Sequence, residues 1–318
     1  MKKLFARLLL IAILFVSFDL VFGQIFGYIR DHSPDGRYYK AKYTLDEAKE
    51  DIIIIGSSRG ERDYVPYLLE EAFNLSCWNA SRGGQGLPYF RAVEEGIVQR
   101  YSPKLVIVNL EADILEHPPF YQEMGFLRAF YKNHSGIQAV VEKISQNEKW
   151  KLKSNLYAFN SSFYYLLRPY VFHGLDGKNS DKGWKPSYGI WEDPGFPFEV
   201  VNDRKPLNKE SVFEFETMVE HFSDQNIQLV FSIAPNYGEK TIMTSSLRYI
   251  QEVAKDNDIP VFNFSADTTF ITHAEDFIDI EHLNVDGAKL FTTKLIDSLQ
   301  QRLPELNHQL SSNIQSAQ

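Results

Sequence analysis

The chain has 318 residues, of which 44% are hydrophobic and 24% charged, and its formal net charge is −9. This length suits one α/β domain with insertions or two small domains, and the composition is that of a folded globular protein. The acidic balance without a basic stretch argues against a nucleic-acid partner, and the single cysteine excludes an internal disulfide.

The N-terminus predicts a membrane anchor. Lys2, Lys3 and Arg7 precede an apolar run that extends to about residue 28, which is the pattern of a secretory signal. Because such cations remain in the cytoplasm, we expect the rest of the chain to lie outside it, in the periplasm or at the cell surface. The best cleavage site, after Gly23, is poor. An uncleaved single-pass signal anchor over 1–28 is therefore favoured over a cleaved signal peptide or a buried helix.

Residues 29–50 are polar and are expected to form a linker, after which short apolar strands alternate with amphipathic helices. The strand patterns cover 51–56, 75–79, 105–110, 227–233 and 261–264. The helical patterns cover 63–73, 87–100, 209–224, 243–256 and 285–302. This alternation predicts an α/β fold with a doubly wound, five-stranded parallel sheet of the flavodoxin-like type.

An insertion interrupts this alternation over about 120–208. It contains helical patterns at about 123–147 and 150–170, followed by a loop rich in Gly, Pro and Trp. We expect the insertion to cover the edge of the sheet where ligands bind. The α/β domain then extends over 51–303, and the polar residues 304–318 are expected to form a flexible tail.

Two polar motifs fall where a parallel sheet places its ligands, at the carboxyl ends of the strands. Ser58 follows the first strand in Gly56-Ser-Ser-Arg-Gly60 and begins a helix, a position that suits a nucleophile but equally an N-cap. Asp279 lies three residues before His282, just ahead of the last helix, so its carboxylate can orient the imidazole. Each motif alone is commonly structural, but together they predict a catalytic triad of Ser58, His282 and Asp279.

In this order the motifs resemble those of the SGNH, or GDSL-like, hydrolase superfamily. Ser58 matches the nucleophile of the first block, with Ser57 in place of the usual Asp, and the segment from Asp279 to His282 matches the last block. Gly84 matches the glycine whose backbone N–H serves the oxyanion hole. The resemblance therefore implies an oxyanion hole with the backbone N–H groups of Ser58 and Gly84 as donors.

The third block departs from the family pattern. Ala112 occupies the position of the family's oxyanion-binding Asn, and Asn109 is out of register with it. Losing one such donor can cost about 10²–10³ in rate, which puts fast general esterase activity in doubt.

The chain most resembles the membrane-anchored branch of this superfamily that modifies surface polymers. That resemblance implies an esterase or O-acyl (acetyl) transferase acting on an extracytoplasmic glycan or acylated surface polymer, with a membrane acyl-donor protein as a candidate partner. Arg59 and Arg82 flank the site and are candidates to bind an anionic group, and Trp184 is a candidate to stack on a sugar. Structural ion pairs and packing of a long loop are the alternative roles.

Two other functions fit parts of the sequence. A non-catalytic glycan-binding or scaffold component of a polymer-modification complex would explain Ala112. The α/β-hydrolases share the Gly-x-Ser-x-Gly elbow, but there it follows several strands, and the acid is separated from the His. The histidines are too scattered for a metal motif, and neither a phosphate-binding loop nor a dinucleotide fingerprint is present, so we expect neither metal nor cofactor.

Overall fold

The structure is a computed structural model that describes residues 1–160, 162–172, 181–192, 195, 198–304 and 306. The chain forms two compact units. The first combines Met1–Glu47 with Tyr121–Lys178, and the second combines Ala48–Phe120 with Asn179–Gln318. Residues 304–318, which we expected to form a flexible tail, lie almost wholly outside the described part of the chain.

The described strands are β1 (Ile52–Ile55), β2 (Cys77–Asn79), β3 (Leu105–Asn109), β4 (Glu199–Asn202), β5 (Gln228–Ile233), β6 (Glu239–Met243) and β7 (Val261–Asn263). The described α-helices are α1 (Lys2–Asp31), α2 (Gly36–Lys42), α3 (Ser58–Asp63), α4 (Pro66–Phe73), α5 (Leu87–Val98), α6 (Ser135–Val141), α7 (Glu148–Lys151), α8 (Phe163–Val171), α9 (Lys209–Asp224), α10 (Ser245–Asp256), α11 (Thr268–Ile271) and α12 (Val285–Arg302).

The main sheet of the second unit has five parallel strands in the order β2-β1-β3-β5-β7. All five predicted strands are present, which confirms the predicted fold class. Ile54, Ile107 and Val230 pair in register across the three central strands and are fully buried. They belong to the same core as Phe291 and Leu295 of α12. Burial on both faces explains why these strands are continuous apolar runs rather than alternating ones.

The second sheet was not predicted. It consists of β4 and β6 only, which pair in parallel. Their sequences mix charged and apolar residues. Neither contains a long continuous apolar run of the kind that predicted the strands of the main sheet.

The helix predicted over 63–73 is instead two helices, α3 and α4. The break falls at Tyr64 and Val65, and Val65 adopts an extended conformation (φ −100°, ψ 103°). Pro66 follows it, and a residue before proline is sterically disfavoured in the α-helical conformation. The helix that carries Ser58 therefore stops after six residues.

In the first unit, α1 is long and apolar enough to cross a membrane, with a mean hydropathy of 2.4 over its most apolar 18 residues, which are exposed. Its second half contacts the segment 154–163 of the same unit. The Asp19 carboxylate accepts hydrogen bonds from the backbone N–H groups of Asn155 (2.9 Å) and Leu156 (3.1 Å). Phe26 packs edge-on against Phe159, with ring centroids 5.6 Å apart.

Residues 29–50, expected to form a linker, are mostly helical. After the end of α1 come α2 and a π-helical turn over Tyr43–Glu47. Tyr38, Ala41 and Leu45 are buried and recur at the three- and four-residue spacing of a helix face. The expectation was wrong because the overall polarity of the segment conceals this spacing.

The helical patterns predicted at 123–147 and 150–170 appear as shorter pieces. These are 3₁₀ turns over Tyr121–Phe130, Glu142–Ile144 and Tyr157–Phe159, together with α6, α7 and α8. One break is at Asn147, whose φ of +63° does not continue a right-handed helix.

Candidate active site

The turn between β1 and α3 places Ser58 at the carboxyl end of a central strand and at the first position of a helix. Two glycines allow this turn to pack closely. A Cβ at Gly56 would lie 2.9 Å from the Cβ of Asn109, and one at Gly60 would lie 2.6 Å from the hydroxyl of Ser81. The Gly-x-Ser-x-Gly spacing is therefore explained by close packing around the serine.

The structure brings Ser58, His282 and Asp279 together in one chain of hydrogen bonds. The Ser58 hydroxyl donates to His282 Nε2 over 2.8 Å, and His282 Nδ1 donates to Asp279, whose two carboxylate oxygens both lie 2.9 Å away. The His282 side chain is 15% exposed and that of Asp279 is 48% exposed. This arrangement can deprotonate the serine hydroxyl and return the proton to a leaving group.

The loop from Ile278 to Leu283 holds the acid and the imidazole in place. Partial burial of Asp279 would raise the pKa of its carboxyl, but hydrogen bonds from the backbone N–H of Glu281 and from His282 lower it. The backbone N–H of Ile278 donates to the carbonyl of His282 over 3.0 Å and closes the loop. Asp279 is therefore an ionised acceptor fixed by its own turn.

Asp63, at the end of α3, is a second carboxyl at this site that the sequence did not single out. It is fully buried and accepts a hydrogen bond from the backbone N–H of Leu283 over 3.1 Å. Burial raises its pKa well above the ordinary value, although Arg59 opposes this shift. The short helix α3 thus begins with Ser58 and ends with Asp63, which is hydrogen-bonded to the residue after His282. This bond couples the position of Ser58 to that of His282.

Gly84 has a left-handed backbone (φ +72°), and beyond its two chain neighbours no described heavy atom lies within 4 Å of where its Cβ would stand. The preceding Gly83 is closer to the nucleophile, since its Cβ would lie 3.6 Å from the Cβ of Ser58. The Gly83 backbone N–H, however, donates to the Glu61 carboxylate over 3.0 Å.

The third block has no side-chain donor at Ala112, and its neighbours Asn109 and Glu111 are both engaged within the protein. Ala112 lines the same cleft as Ser58, as the register of the block implies. Asn109 is fully buried and donates to the hydroxyl of Tyr64 over 3.1 Å, so it is a core residue and not a substitute oxyanion donor. Glu111 accepts a hydrogen bond from the hydroxyl of Ser57, and burial raises the pKa of its carboxyl.

The three residues considered for substrate binding are all buried. Arg59 donates to the carbonyl of Ala234. Its positive charge opposes the rise that burial causes in the pKa of Asp63 and of Glu111. Arg82 is 8% exposed. The indole N–H of Trp184 donates to the carbonyl of Arg62 over 2.6 Å, and the ring belongs to the core of the second unit.

These positions favour structural roles for Arg59, Arg82 and Trp184. The partners of Arg59 and Trp184 lie 175 and 122 residues away in sequence, so the motif alone does not reveal that these side chains are engaged.

Above Ser58 lies a cleft of about 480 Å³. Its walls come from the turn after β3, from β4 and β6, and from the loops that follow β5 and β7. Apart from Ser58, most of its polar side chains are acidic or carry a hydroxyl. They are Asp113, Glu199, Asp203, Glu239, Thr241, Thr244, Ser265 and Glu281. The cleft is large enough for a sugar-sized ester.

One group of potential metal ligands occurs in the described part of the chain, formed by Glu94, Glu95 and His221. Arg91 already contacts the two acids, with N–O distances of 3.2 Å to Glu94 and 3.1 Å to Glu95. The cation that balances these carboxylates is thus an arginine, and none of these residues lines the cleft that contains Ser58.

Comparison with known proteins gave matches in structure but not in sequence. No protein-family model and no curated protein sequence matches the chain. A solved structure described as a lipolytic protein of the G-D-S-L family from Desulfitobacterium hafniense DCB-2 is similar at 10% identity, with a TM-score of 0.41, over 77% of this chain and 97% of that one. A gut microbial diltiazem-metabolizing enzyme is similar at 10% identity, with a TM-score of 0.38, over 78% of this chain and 46% of that one. Likenesses at this level do not specify a substrate.

Proposed function

We propose that the chain is a serine-dependent ester hydrolase or O-acyl transferase with the triad Ser58, His282 and Asp279. The observation that carries this proposal is the continuous hydrogen-bonded path from the Ser58 hydroxyl through His282 to Asp279, beneath an open cleft. A nucleophile, a base and an orienting acid in this geometry define the chemistry regardless of the fold around them.

In the proposed reaction the Ser58 oxygen attacks the carbonyl carbon of an ester while His282 Nε2 takes the hydroxyl proton. The backbone N–H groups of Ser58 and Gly84 stabilise the resulting oxyanion. Collapse breaks the bond between the acyl carbon and the alkoxy oxygen, and His282 returns the proton to the departing alcohol. Water or a second hydroxyl, deprotonated by His282, then attacks the acyl carbon. The bond from this carbon to the Ser58 oxygen breaks, and His282 returns the proton to that oxygen.

The proposed setting is outside the cytoplasm, with α1 as a signal anchor. Its length, its hydropathy and its exposed apolar surface support this role. A tethered enzyme meets substrates close to the membrane, which supports an extracytoplasmic glycan or acylated surface polymer as the substrate and a membrane acyl-donor protein as a partner in transfer. The acceptor, water or a sugar hydroxyl, decides between esterase and transferase.

The test is turnover of p-nitrophenyl acetate by the full chain in detergent, beside Ser58→Ala and His282→Ala. We expect both substitutions to reduce turnover at least a thousandfold, because each removes a member of one chemical unit. Labelling of Ser58 by a fluorophosphonate in the wild type, but not in Ser58→Ala, would show that the serine is nucleophilic. Equal turnover in all three proteins would refute the triad.

A non-catalytic glycan-binding or scaffold role is the second candidate, and Ala112 is the observation that favours it. Without a side-chain donor at this position, the oxyanion hole depends on backbone groups alone. A wild-type chain that is inert to both the ester and the fluorophosphonate would support this role.

A further inference from the structure

The cleft above Ser58 has an uneven balance of charge. Glu111 lines the wall with its carboxyl buried and bonded to the hydroxyl of Ser57. Five other carboxyl groups line the described wall against two cations, Arg59 and Lys205. The five are Asp113, Glu199, Asp203, Glu239 and Glu281.

The two cations of the wall are already engaged. Lys205 pairs with Asp203 at 3.0 Å, and Arg59 is buried and donates to the carbonyl of Ala234. In the part of the chain that the structure describes, no ion pair involves Glu199, Glu239 or Glu281. No cation in the described part of the chain therefore offsets the negative charge of these three side chains.

The hydroxyl donors of the wall are likewise used within the protein. Thr241 donates to Glu239, Thr244 donates to the carbonyl of Ala112, and Ser265 donates to Asn263 over 2.7 Å. The hydrogens of these three hydroxyls are therefore already donated within the protein.

Two buried acceptor oxygens add to the negative potential of this wall. The Asn236 amide nitrogen donates to Glu239 over 3.3 Å, while its carbonyl oxygen is buried and has no partner among the described residues. One carboxylate oxygen of Asp203 is in the same state. These two oxygens have almost no accessible surface, so they add to the negative potential of the wall without offering a direct contact to a ligand.

From this wall we infer that the substrate of the proposed reaction is an ester that carries a positive charge, such as an ammonium group, in the part that occupies the cleft. The inference rests on the proposed function and narrows its substrate class. A cleft with an excess of one charge, between walls of low dielectric, concentrates ligands of the opposite charge. Anionic esters, including those of uronate or phosphate polymers, are disfavoured by the same field.

The wall that makes this selection comes largely from β4 and β6. Glu199 is the first residue of β4, and Glu239 is the first residue of β6 and pairs with it in register. The small sheet thus places two carboxylates side by side at the cleft, at some cost in repulsion that a cation would relieve.

The test compares three acetate esters of similar size on the full chain in detergent. These are acetylcholine (charge +1), its neutral isostere 3,3-dimethylbutyl acetate, and O-acetyl isethionate (charge −1). We expect kcat/KM to fall about tenfold at each step in this order, with smaller differences at high ionic strength. Equal values, or the reverse order, would overturn the inference.

Competition supplies a second measurement that does not depend on turnover of these esters. Choline should inhibit hydrolysis of p-nitrophenyl acetate at lower concentration than 3,3-dimethylbutanol, and isethionate should inhibit least. The inference fails if the three inhibit equally while p-nitrophenyl acetate is hydrolysed. If p-nitrophenyl acetate is not hydrolysed and a fluorophosphonate does not label Ser58, the proposed function itself has failed.

Single Glu→Gln substitutions test which carboxylates select the cationic ester. Glu199→Gln and Glu239→Gln should each reduce the ratio of the acetylcholine rate to the dimethylbutyl acetate rate about threefold or more. Glu220→Gln removes an exposed carboxylate of α9 that does not line the cleft, and it should leave this ratio unchanged. Equal ratios in all four proteins would show that these carboxylates do not select the substrate.

Discussion

Replacement of Asp279 by Asn tests how much a half-exposed carboxylate contributes to the triad. Two unit charges 4 Å apart interact by about 1 kcal/mol in water and about 4 kcal/mol at an effective dielectric of 20. The Asp279 side chain is 48% exposed, so an intermediate value of about 2 kcal/mol applies to its attraction for the imidazolium that forms on His282. This corresponds to a loss of about 30-fold in kcat, since 1.36 kcal/mol is a factor of ten.

The asparagine oxygen can still accept the backbone N–H groups of Glu281 and His282, so the loop should keep its shape. A fully buried triad acid, by contrast, is worth about 10⁴ in kcat. The assay measures kcat for p-nitrophenyl acetate in Asp279→Asn. The rate of His282→Ala gives the activity that remains without the base, and the melting temperature checks that the variant is folded. A loss above a thousandfold would refute the screening argument, and no loss would remove Asp279 from the reaction.

Three further predictions concern other positions. Ala112→Asn adds a side-chain donor to the wall of the cleft that contains Ser58 and should raise kcat for p-nitrophenyl acetate about tenfold or more, whereas Ala112→Val should not. A Cβ at Gly183 (φ +79°) would lie only 2.1 Å from the carbonyl oxygen of Asn79. Because this is a steric clash, Gly183→Ala should lower the free energy of unfolding in urea by several kcal/mol. Gly189→Ala, also at positive φ but in open space, should cost only about 1 kcal/mol. Burial raises the pKa of Glu94 to about 8, above its unfolded value, so the native state binds the extra proton and loses stability as pH rises from about 5 to 8. Glu94→Gln should flatten this dependence of the melting temperature, and an unchanged slope would assign the effect to another group.

The parts of the fold and site that follow from the sequence are those encoded locally. Four consecutive isoleucines make β1 a buried strand wherever the chain places it. The turn from Asp279 to His282 is likewise closed by bonds within a few residues, so its spacing alone predicts the acid–imidazole contact.

Features that depend on distant partners did not follow from the sequence. Arg59 and Trp184 look available for a ligand in the sequence, but backbone carbonyls elsewhere in the chain bind them. The pairing of Glu111 with Ser57 joins two loops of the sheet edge, and no pattern in either loop predicts it. The small sheet of β4 and β6 escaped prediction because its strands are polar, and the same polarity gives the cleft its charge.

The contacts of Asp19 and Phe26 bear on how the N-terminus is processed. As a continuous helix of 30 residues, α1 is about 45 Å long, whereas a bilayer's hydrocarbon core is about 30 Å thick. The surplus of about 15 Å, or about ten residues, is comparable in length to the stretch 19–26 that contacts residues 154–156 and 159. A signal peptidase cutting after Gly23 would separate Asp19 from Phe26 and strip the Asn155 and Leu156 amides of their acceptor. The helix that resembles a cleavable signal peptide in the sequence thus also binds part of the folded chain, and we expect the mature protein to retain it.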